Sequence, residues 1–218
     1  MHLQPKRLLL KLSGEILLGQ NPFGIDPDRL KTLSKLLVDI QKNGYELAIV
    51  IGGGNIFRGA PLKKSGIEPT PADHIGLLST MMNGIALERM IINVGGKAKA
   101  MSALACPTVI ESYDWRLAND LIEKEHILIF VGGTGNPFFT TDSAAALRAS
   151  EIKADLFLKA TKVDGIYSKD PLKYQDAELY QTMTYGQVLA EKLEVMDATA
   201  IALCRTNNIP VFVFNMSM

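Results

Sequence analysis

Short runs of Leu, Ile and Val alternate with helical patterns along the chain, and this alternation constrains the fold more than any other feature. The runs predict strands at residues 7–12, 46–51, 107–110, 127–131, 155–158 and 211–214. Because these runs are apolar throughout, we expect helices to cover both faces of the strands. The sequence therefore predicts an α/β fold, a three-layer αβα sandwich with a mostly parallel central sheet.

The helix signals lie between the strand runs. Asp26-Pro27 reads as an N-cap followed by proline at the first helical position, and Asn43-Gly44 ends this helix. Further helices are predicted at residues 73–92, 114–124, from 142, 184–193 and 197–206. We interpret the methionines of the second helix as core or subunit contacts rather than a cofactor site. Residues 168–182 lack periodicity and predict a lid or a small excursion from the sheet.

Composition excludes several classes of partner. The 23 basic and 23 acidic residues cancel, so we expect neither nucleic acid nor an anionic membrane as a partner. The strand runs are too short to span a bilayer and the first ten residues lack a signal-peptide pattern, which predicts a cytoplasmic protein. Cys106 and Cys204 lack metal spacing and are predicted to be free thiols. The three histidines are scattered, so we expect no metal held by protein ligands alone.

The sequence GGTGNPFFTTDSAA, residues 132–145, joins a strand run to a helix start. Glycines and the unpaired N–H groups of a helix N-terminus form a common phosphate-binding junction. Alternatively, Thr141 and Asp142 cap the helix and the glycines only turn the chain. The adjacent Phe138 and Phe139 are unusual for a simple turn. They either anchor the loop on the core or form an apolar wall for a flat ligand group.

Glycines and cations follow the other strand runs as well. Lys11-Leu12-Ser13-Gly14 follows the first, and Gly52-Gly53-Gly54-Asn55 follows the second, with Arg58 and Gly59 close behind. Each signal is weak alone, because neither a dinucleotide GxGxxG pattern nor a Walker loop is present. Ligands bind beyond the carboxyl ends of parallel strands, where all these residues fall. Cations and backbone donors at one edge predict phosphoryl transfer.

Five motifs carry a resemblance to a known family. They are KLSGE at residues 11–15, VIGGGNIFRG at 50–59, ADHIG at 72–76, GTGNPFFTTDSAA at 133–145 and LKATKVDGIY at 158–167. Over essentially its whole length the chain resembles the bacterial uridylate (UMP) kinases of the amino acid kinase superfamily. The resemblance implies transfer of the γ-phosphoryl group of ATP to UMP, with Mg²⁺ arriving bound to ATP.

The resemblance also implies a set of site residues. The implied catalytic residues are Lys11, Asp142, which would orient Lys11, and Arg58. The implied ATP-binding residues are Lys11, Leu12, Ser13, Gly14, Gly54, Arg58, Thr161, Tyr167 and Asp170. The implied UMP-binding residues are Gly53, Asp73, Thr134, Gly135, Asn136, Pro137, Phe138, Phe139, Thr140 and Thr141.

Some of these residues also have a purely structural interpretation. Asp73 and Asp142 both fall near predicted helix starts and are candidate N-caps. Asp170 precedes Pro171, and Asp-Pro alone is typical of a turn. For Asp73, capping and binding to the ribose hydroxyls of UMP are compatible.

The resemblance further implies regulation and assembly. Gly19, Gln20, Asn21, Pro22, Phe23 and Gly24 correspond to a GTP-responsive loop of the family, although the sequence alone predicts only a turn before a helix. Members are homohexamers activated by GTP and inhibited by UTP. Asp197 resembles a position linked to this regulation, and it is equally a candidate helix cap.

The chain departs from the family at its end. It stops at Met218, where the family usually continues for roughly twenty residues through another strand. We therefore expect residues 1–218 to form a single amino acid kinase domain without the family's C-terminal strand. The sequence is also compatible with two alternatives: a superfamily kinase acting on a carboxylate or carbamate, and a non-catalytic nucleotide- or oxyanion-binding member of the fold.

Overall fold

The computed structural model describes residues 5–57, 66–193 and 195–216. Its centre is a parallel sheet of seven strands. In chain order these strands are β1 (Arg7–Leu12), β2 (Glu46–Ile51), β3 (Ala98–Ser102), β4 (Glu111–Ser112), β5 (Ile127–Val131), β6 (Leu156–Thr161) and β9 (Val211–Asn215). Their order across the sheet is β4-β3-β5-β2-β1-β6-β9.

Helices connect the strands. They are α1 (Pro27–Lys42), α2 (Pro69–Asn93), α3 (Trp115–Glu123), α4 (Thr141–Glu151), α5 (Tyr185–Ala190) and α6 (Ala198–Thr206). A 3-10 helix, Gly14–Leu17, follows β1. Two short antiparallel strands, β7 (Ile166–Tyr167) and β8 (Leu179–Tyr180), form a separate hairpin. Residues 168–182, predicted as a lid or an excursion from the sheet, include β8 and therefore contribute to a hairpin that lies outside the central sheet.

Two hydrophobic layers flank the sheet, because successive side chains of a strand point to opposite faces. Along β2, Ile49 packs in the layer formed with α1 and α2, whereas Val50 packs in the layer formed with α3, α4 and α6. Leu33 of α1 and Phe157 of β6 are fully buried, one in each layer. The predicted three-layer α/β fold with a mostly parallel sheet is confirmed.

One predicted strand is wrong. Residues 107–110 form a turn in which the N–H groups of Val109 and Ile110 both bond to the Cys106 carbonyl. The neighbouring Pro107 has no N–H to donate to a sheet. The sequence pattern does not predict the two-residue strands β4, β7 and β8. It also does not predict β3, whose AKAMS segment has little branched apolar character. Its Lys99 side chain lies 3.2 Å from Glu111, near the sheet edge.

The helix starts correct two interpretations. Asp26 caps α1 as predicted, accepting hydrogen bonds from the N–H groups of Asp28 and Arg29. Asp73 is not an N-cap, because α2 begins at Pro69 and Asp73 lies inside the helix. Thr141 and Asp142 are not caps either. The Thr140 hydroxyl caps α4 by accepting from the N–H groups of Asp142 and Ser143, which leaves the Asp142 carboxylate available for other contacts.

Helix α2 is apolar on nearly all sides. Among the described helices it alone is long and apolar enough to cross a membrane, judged by length and composition only. One side packs against α1 and β3, as in a core helix of a soluble protein. Ile75, Leu78 and Met82 are exposed on the other side, whereas Met81 is buried. The methionines of α2 therefore include both core and surface positions.

Candidate functional site

The loops predicted to bind phosphate meet at one edge of the sheet. β5, β2, β1 and β6 are consecutive neighbours, and each ends at this edge. The residues that follow them are Gly132 after β5, Gly52 after β2 and Ser13 after β1. The parallel register therefore assembles segments that are distant in sequence.

A carboxylate joins two lysines at this edge. Asp142 Oδ1 lies 2.8 Å from Lys11 Nζ, and Asp142 Oδ2 lies 2.6 Å from Lys159 Nζ. Lys11 and Lys159 are register partners on β1 and β6, which brings their side chains to one place. All three side chains are largely buried. The three side chains together carry one net positive charge, which attracts an anionic ligand, and the Asp197 carboxylate also acts on Lys159.

Lys159 is one of the cations that the sequence places after a strand run, within the LKATKVDGIY motif, but the family resemblance assigns it no specific role. Its ammonium group also donates to the Val195 carbonyl. Burial lowers the pKa of Lys159, the Lys11 cation acts in the same direction, and Asp142 opposes both. A buried cation with a perturbed pKa beside a cleft is typical of functional sites.

Three glycines of these loops, Gly14, Gly53 and Gly54, differ in the space around their Cα atoms. A Cβ on Gly14 would lie 2.3 Å from Asn55 Oδ1, and one on Gly53 would lie 2.7 Å from Ser79 Cβ, so close packing requires both glycines. A Cβ on Gly54 would meet no atom of the described residues within 4 Å. The open space at Gly54 borders a cavity, which leaves room for a ligand next to its backbone.

The first cavity, of about 320 Å³, lies between α2 and the loop after β5. Among the predicted UMP-binding residues, its lining includes Gly53, Asp73, Asn136, Phe139, Thr140 and Thr141. Lys11, Ser13 and Gly14 also line it. Thr134, Gly135, Pro137 and Phe138 belong to the same loop but are outside the lining.

Asp73 links α2 to the loop after β5. Its Oδ2 accepts the N–H of Phe138 at 2.9 Å. Phe138 has a φ of 69°, which is uncommon for a residue other than glycine, and its side chain is 71% exposed. Phe139 is also exposed. Neither ring therefore anchors the loop in the core, and Phe139 is the one that lines the cavity.

The second cavity, of about 530 Å³, lies on the other side of Lys159. Its lining includes the predicted ATP-binding residues Thr161, Tyr167 and Asp170. Asp170 accepts the N–H of Leu172, and this backbone hydrogen bond is the main reason that its pKa is lowered. Asp170 thus shapes a turn and lines the cavity. Leu12, another predicted ATP-binding residue, is fully buried and does not line this cavity.

Asp197 connects the first cavity to α6. Its carboxylate accepts hydrogen bonds from the Thr140 and Ser143 hydroxyls and from the Ala200 N–H, which caps α6. Burial acts to raise the pKa of Asp197, but these hydrogen bonds outweigh it and the pKa is lowered. The predicted N-cap is confirmed, and the same carboxylate fixes the start of α4.

Two further sets of residues were singled out from the sequence, Arg58 with Gly59 and the segment 19–24. Arg58 and Gly59 lie outside the described residues. Residues 19–24 form turns, with Gly19 and Gly24 at positive φ and Phe23 exposed. Gly19, Gln20 and Asn21 line a third cavity of about 400 Å³, together with Arg29 and Lys162.

Comparison with known proteins identifies the family. The sequence pattern of the amino acid kinase family matches residues 6–215. The chain belongs to the amino acid kinase family. This amino acid kinase is 60% identical to the uridylate kinase of Protochlamydia amoebophila (strain UWE25) over 212 residues, 97% of this chain and 84% of that relative.

Other proteins similar to this amino acid kinase are also named uridylate kinase or UMP kinase. The uridylate kinase of Xanthomonas oryzae pv. oryzae is 50% identical over 212 residues, 97% of this chain and 88% of that relative. The crystal structure of UMP kinase from Ureaplasma parvum superposes with a TM-score of 0.93 and 37% identity, covering 99% of this chain and 92% of that one. Fold and sequence therefore point to the same branch of the family.

Proposed function

We propose that this amino acid kinase transfers the γ-phosphoryl group of ATP to UMP, giving UDP and ADP in pyrimidine nucleotide biosynthesis. The observation that carries the proposal is the Lys11–Asp142–Lys159 cluster between two cavities. Phosphoryl transfer depends on positioning and on neutralising charge at the transferred group. The uridylate kinase names of the relatives favour UMP over a carboxylate acceptor.

The two cavities suggest a division of the site. ATP occupies the cavity at Thr161, Tyr167 and Asp170, with its phosphates directed to the lysines. UMP occupies the cavity at Asp73 and the loop after β5, with its phosphate near Gly53. Mg²⁺ arrives with ATP. Among the residues that the structure describes, no group of three or more His, Cys, Asp or Glu side chains is placed to hold a metal ion.

Assembly and regulation are further parts of this proposal. Exposed apolar residues on α2, including Leu78 and Met82, support contact with another copy of the chain. We propose that the protein is a cytoplasmic homohexamer. In each subunit, residues 1–218 form one domain. The family resemblance of residues 19–24 supports activation by GTP, with UTP as an inhibitor.

A coupled ADP-release assay tests the substrate. With ATP and Mg²⁺, we expect turnover with UMP, and turnover with CMP lower by at least about 100-fold, because a site that hydrogen-bonds one base leaves its polar groups unpaired with another. Aspartate, acetylglutamate and carbamate serve as acceptor controls. Equal rates with CMP, or turnover only with a carboxylate, would exclude the UMP assignment. Parallel assays with GTP and UTP test the regulatory proposal.

Asp73 provides a test of the acceptor cavity. Asp73→Ala is expected to raise the KM for UMP by about 10- to 100-fold, since a hydrogen bond to a charged group contributes about 1.5–3 kcal/mol. Asp73→Asn keeps an acceptor for the Phe138 N–H and separates loss of charge from loss of the loop contact. Asp120→Ala, which removes an exposed carboxylate on α3, is the control. An unchanged KM in Asp73→Ala would remove Asp73 from the UMP site.

A further inference from the structure

A buried pair of amide side chains lies beneath the glycine loops. Asn55 follows β2 and is 2% exposed, while Asn83 lies in the middle of α2 and is 0% exposed. Asn55 Nδ2 donates to Asn83 Oδ1 at 2.9 Å, and Asn83 Nδ2 donates to Asn55 Oδ1 at 2.7 Å. Such reciprocal bonding fixes both side chains relative to each other.

The remaining amide protons hold two separate loops. Asn83 Nδ2 donates to the Gly52 carbonyl at 2.7 Å. Asn55 Nδ2 donates to the Gly24 carbonyl at 2.9 Å, and the Gly24 N–H returns a bond to the Asn55 carbonyl at 2.7 Å. All four amide protons of the pair therefore have acceptors, and a fully satisfied buried network specifies one arrangement.

The hydrogen bond from Asn83 to the Gly52 carbonyl determines the direction in which the Gly53 N–H points. The Gly52 carbonyl and the Gly53 N–H belong to one planar trans peptide unit, so they point in opposite directions. Asn83 pulls the carbonyl toward the protein interior and thereby turns the Gly53 N–H away from it. Gly53 lines the cavity that also contains Lys11. Gly14 packs closely against Asn55 and Gly52, since a Cβ on Gly14 would clash with Asn55 Oδ1 and the Gly52 carbonyl.

We propose that Asn55 and Asn83 are positioning residues for phosphoryl transfer. They orient the peptide donors of the glycine loop after β2, support Gly14, and connect residues 19–24 to the same frame. This inference rests on the proposed function. Catalysis of phosphoryl transfer depends on donors that are already aimed at the developing charge, so a small rotation of this peptide lowers the rate more than the affinity.

Asn83→Asp tests the pair with little change in shape. It removes the donor to Gly52 and places a carboxylate oxygen against carbonyl oxygens. We expect kcat to fall by about 100-fold, with the KM values for UMP and ATP within about threefold of the parent. Asn43→Asp makes the same chemical change at an exposed amide that donates to the Asp39 carbonyl at 2.7 Å, and should leave kcat unchanged.

Loss of stability alone is controlled separately. Ile122→Ala truncates a fully buried side chain on the opposite face of the sheet and should lower Tm while kcat remains at the parental value. If Asn83→Asp does not fold, Asn83→Ser retains a hydroxyl donor and is expected to lower kcat by about 10-fold. A folded Asn83 variant whose kcat stays within threefold of the parent, or one in which only KM rises, would overturn the proposal.

Hydrogen exchange gives a readout that does not depend on turnover. In the Asn83 variant, exchange in peptides covering residues 20–26 and 52–57 should increase together by at least about 10-fold, while α3 keeps its protection. Unchanged exchange in both segments would overturn the proposal even if kcat fell. A parent that released no ADP with UMP would contradict the proposed function, and exchange would still decide whether the amide pair fixes the two loops.

Discussion

Replacing Lys11 with Ala is expected to lower kcat by at least about 1,000-fold while the Kd for UMP stays within about threefold. Removal of one donor that stabilises developing charge costs about 10²–10³ in rate, and Lys11 is a full charge in a largely buried position. ATP affinity should fall as well, because the proposed function places the ammonium group against the phosphates of ATP. The contacts proposed for the nucleoside of UMP come from Asp73 and the loop after β5, which the substitution leaves intact.

Steady-state kinetics and calorimetric titration with UMP check this result. Lys6→Ala is the matched control, since Lys6 also pairs with a carboxylate, Glu46, but lies at the opposite end of the sheet with 70% of its side chain exposed. Lys11→Arg should not restore the parental rate, because a planar guanidinium does not reproduce the geometry of an ammonium group. Turnover of Lys11→Ala within tenfold of the parent would remove Lys11 from the reaction.

The sequence predicted most of the fold because buried parallel strands carry a strong local signal. The residues of β5, for example, are apolar without interruption and buried throughout. β3 was missed because its alanines are small and Lys99 interrupts the apolar run. Burial of β3 comes from its neighbours β5 and α2, which is tertiary information that a local pattern does not contain.

The candidate site was predicted in part for a related reason. Motifs identified Lys11 and Asp142 one at a time, but the β1–β6 register is what brings Lys159 to the same carboxylate. Similarly, the capping interpretation of Asp142 followed from its position near a helix start, and Thr140 takes that role instead. Side-chain pairing across the sheet follows from topology rather than from spacing in the chain.

Asp142→Asn is the second substitution with a large expected effect. It removes the carboxylate that pairs with two buried ammonium groups and leaves them one amide oxygen at this position, and breaking a buried ion pair typically costs about 3–5 kcal/mol. We expect the free energy of unfolding of the ligand-free protein to fall by about 2–4 kcal/mol, since the amide oxygen retains one hydrogen bond. Misorientation of Lys11 should lower kcat by about 100- to 1,000-fold. Denaturant unfolding and steady-state kinetics measure the two effects.

The pH dependence of this variant identifies the cause. Burial already lowers the pKa of Lys159, and Asp142 opposes that shift, so its loss lowers the pKa further. Lysine is cationic only below its pKa, and the alkaline limb of kcat should therefore move to lower pH in Asp142→Asn.

ATP supplies negative charge to both lysines, so saturating ATP should reduce the Tm difference from the parent. Asp120→Asn removes an exposed carboxylate 2.8 Å from Lys124 and should change neither kcat nor its pH profile. An unshifted alkaline limb together with parental stability would show that Asp142 does not hold the two lysines in their charged form.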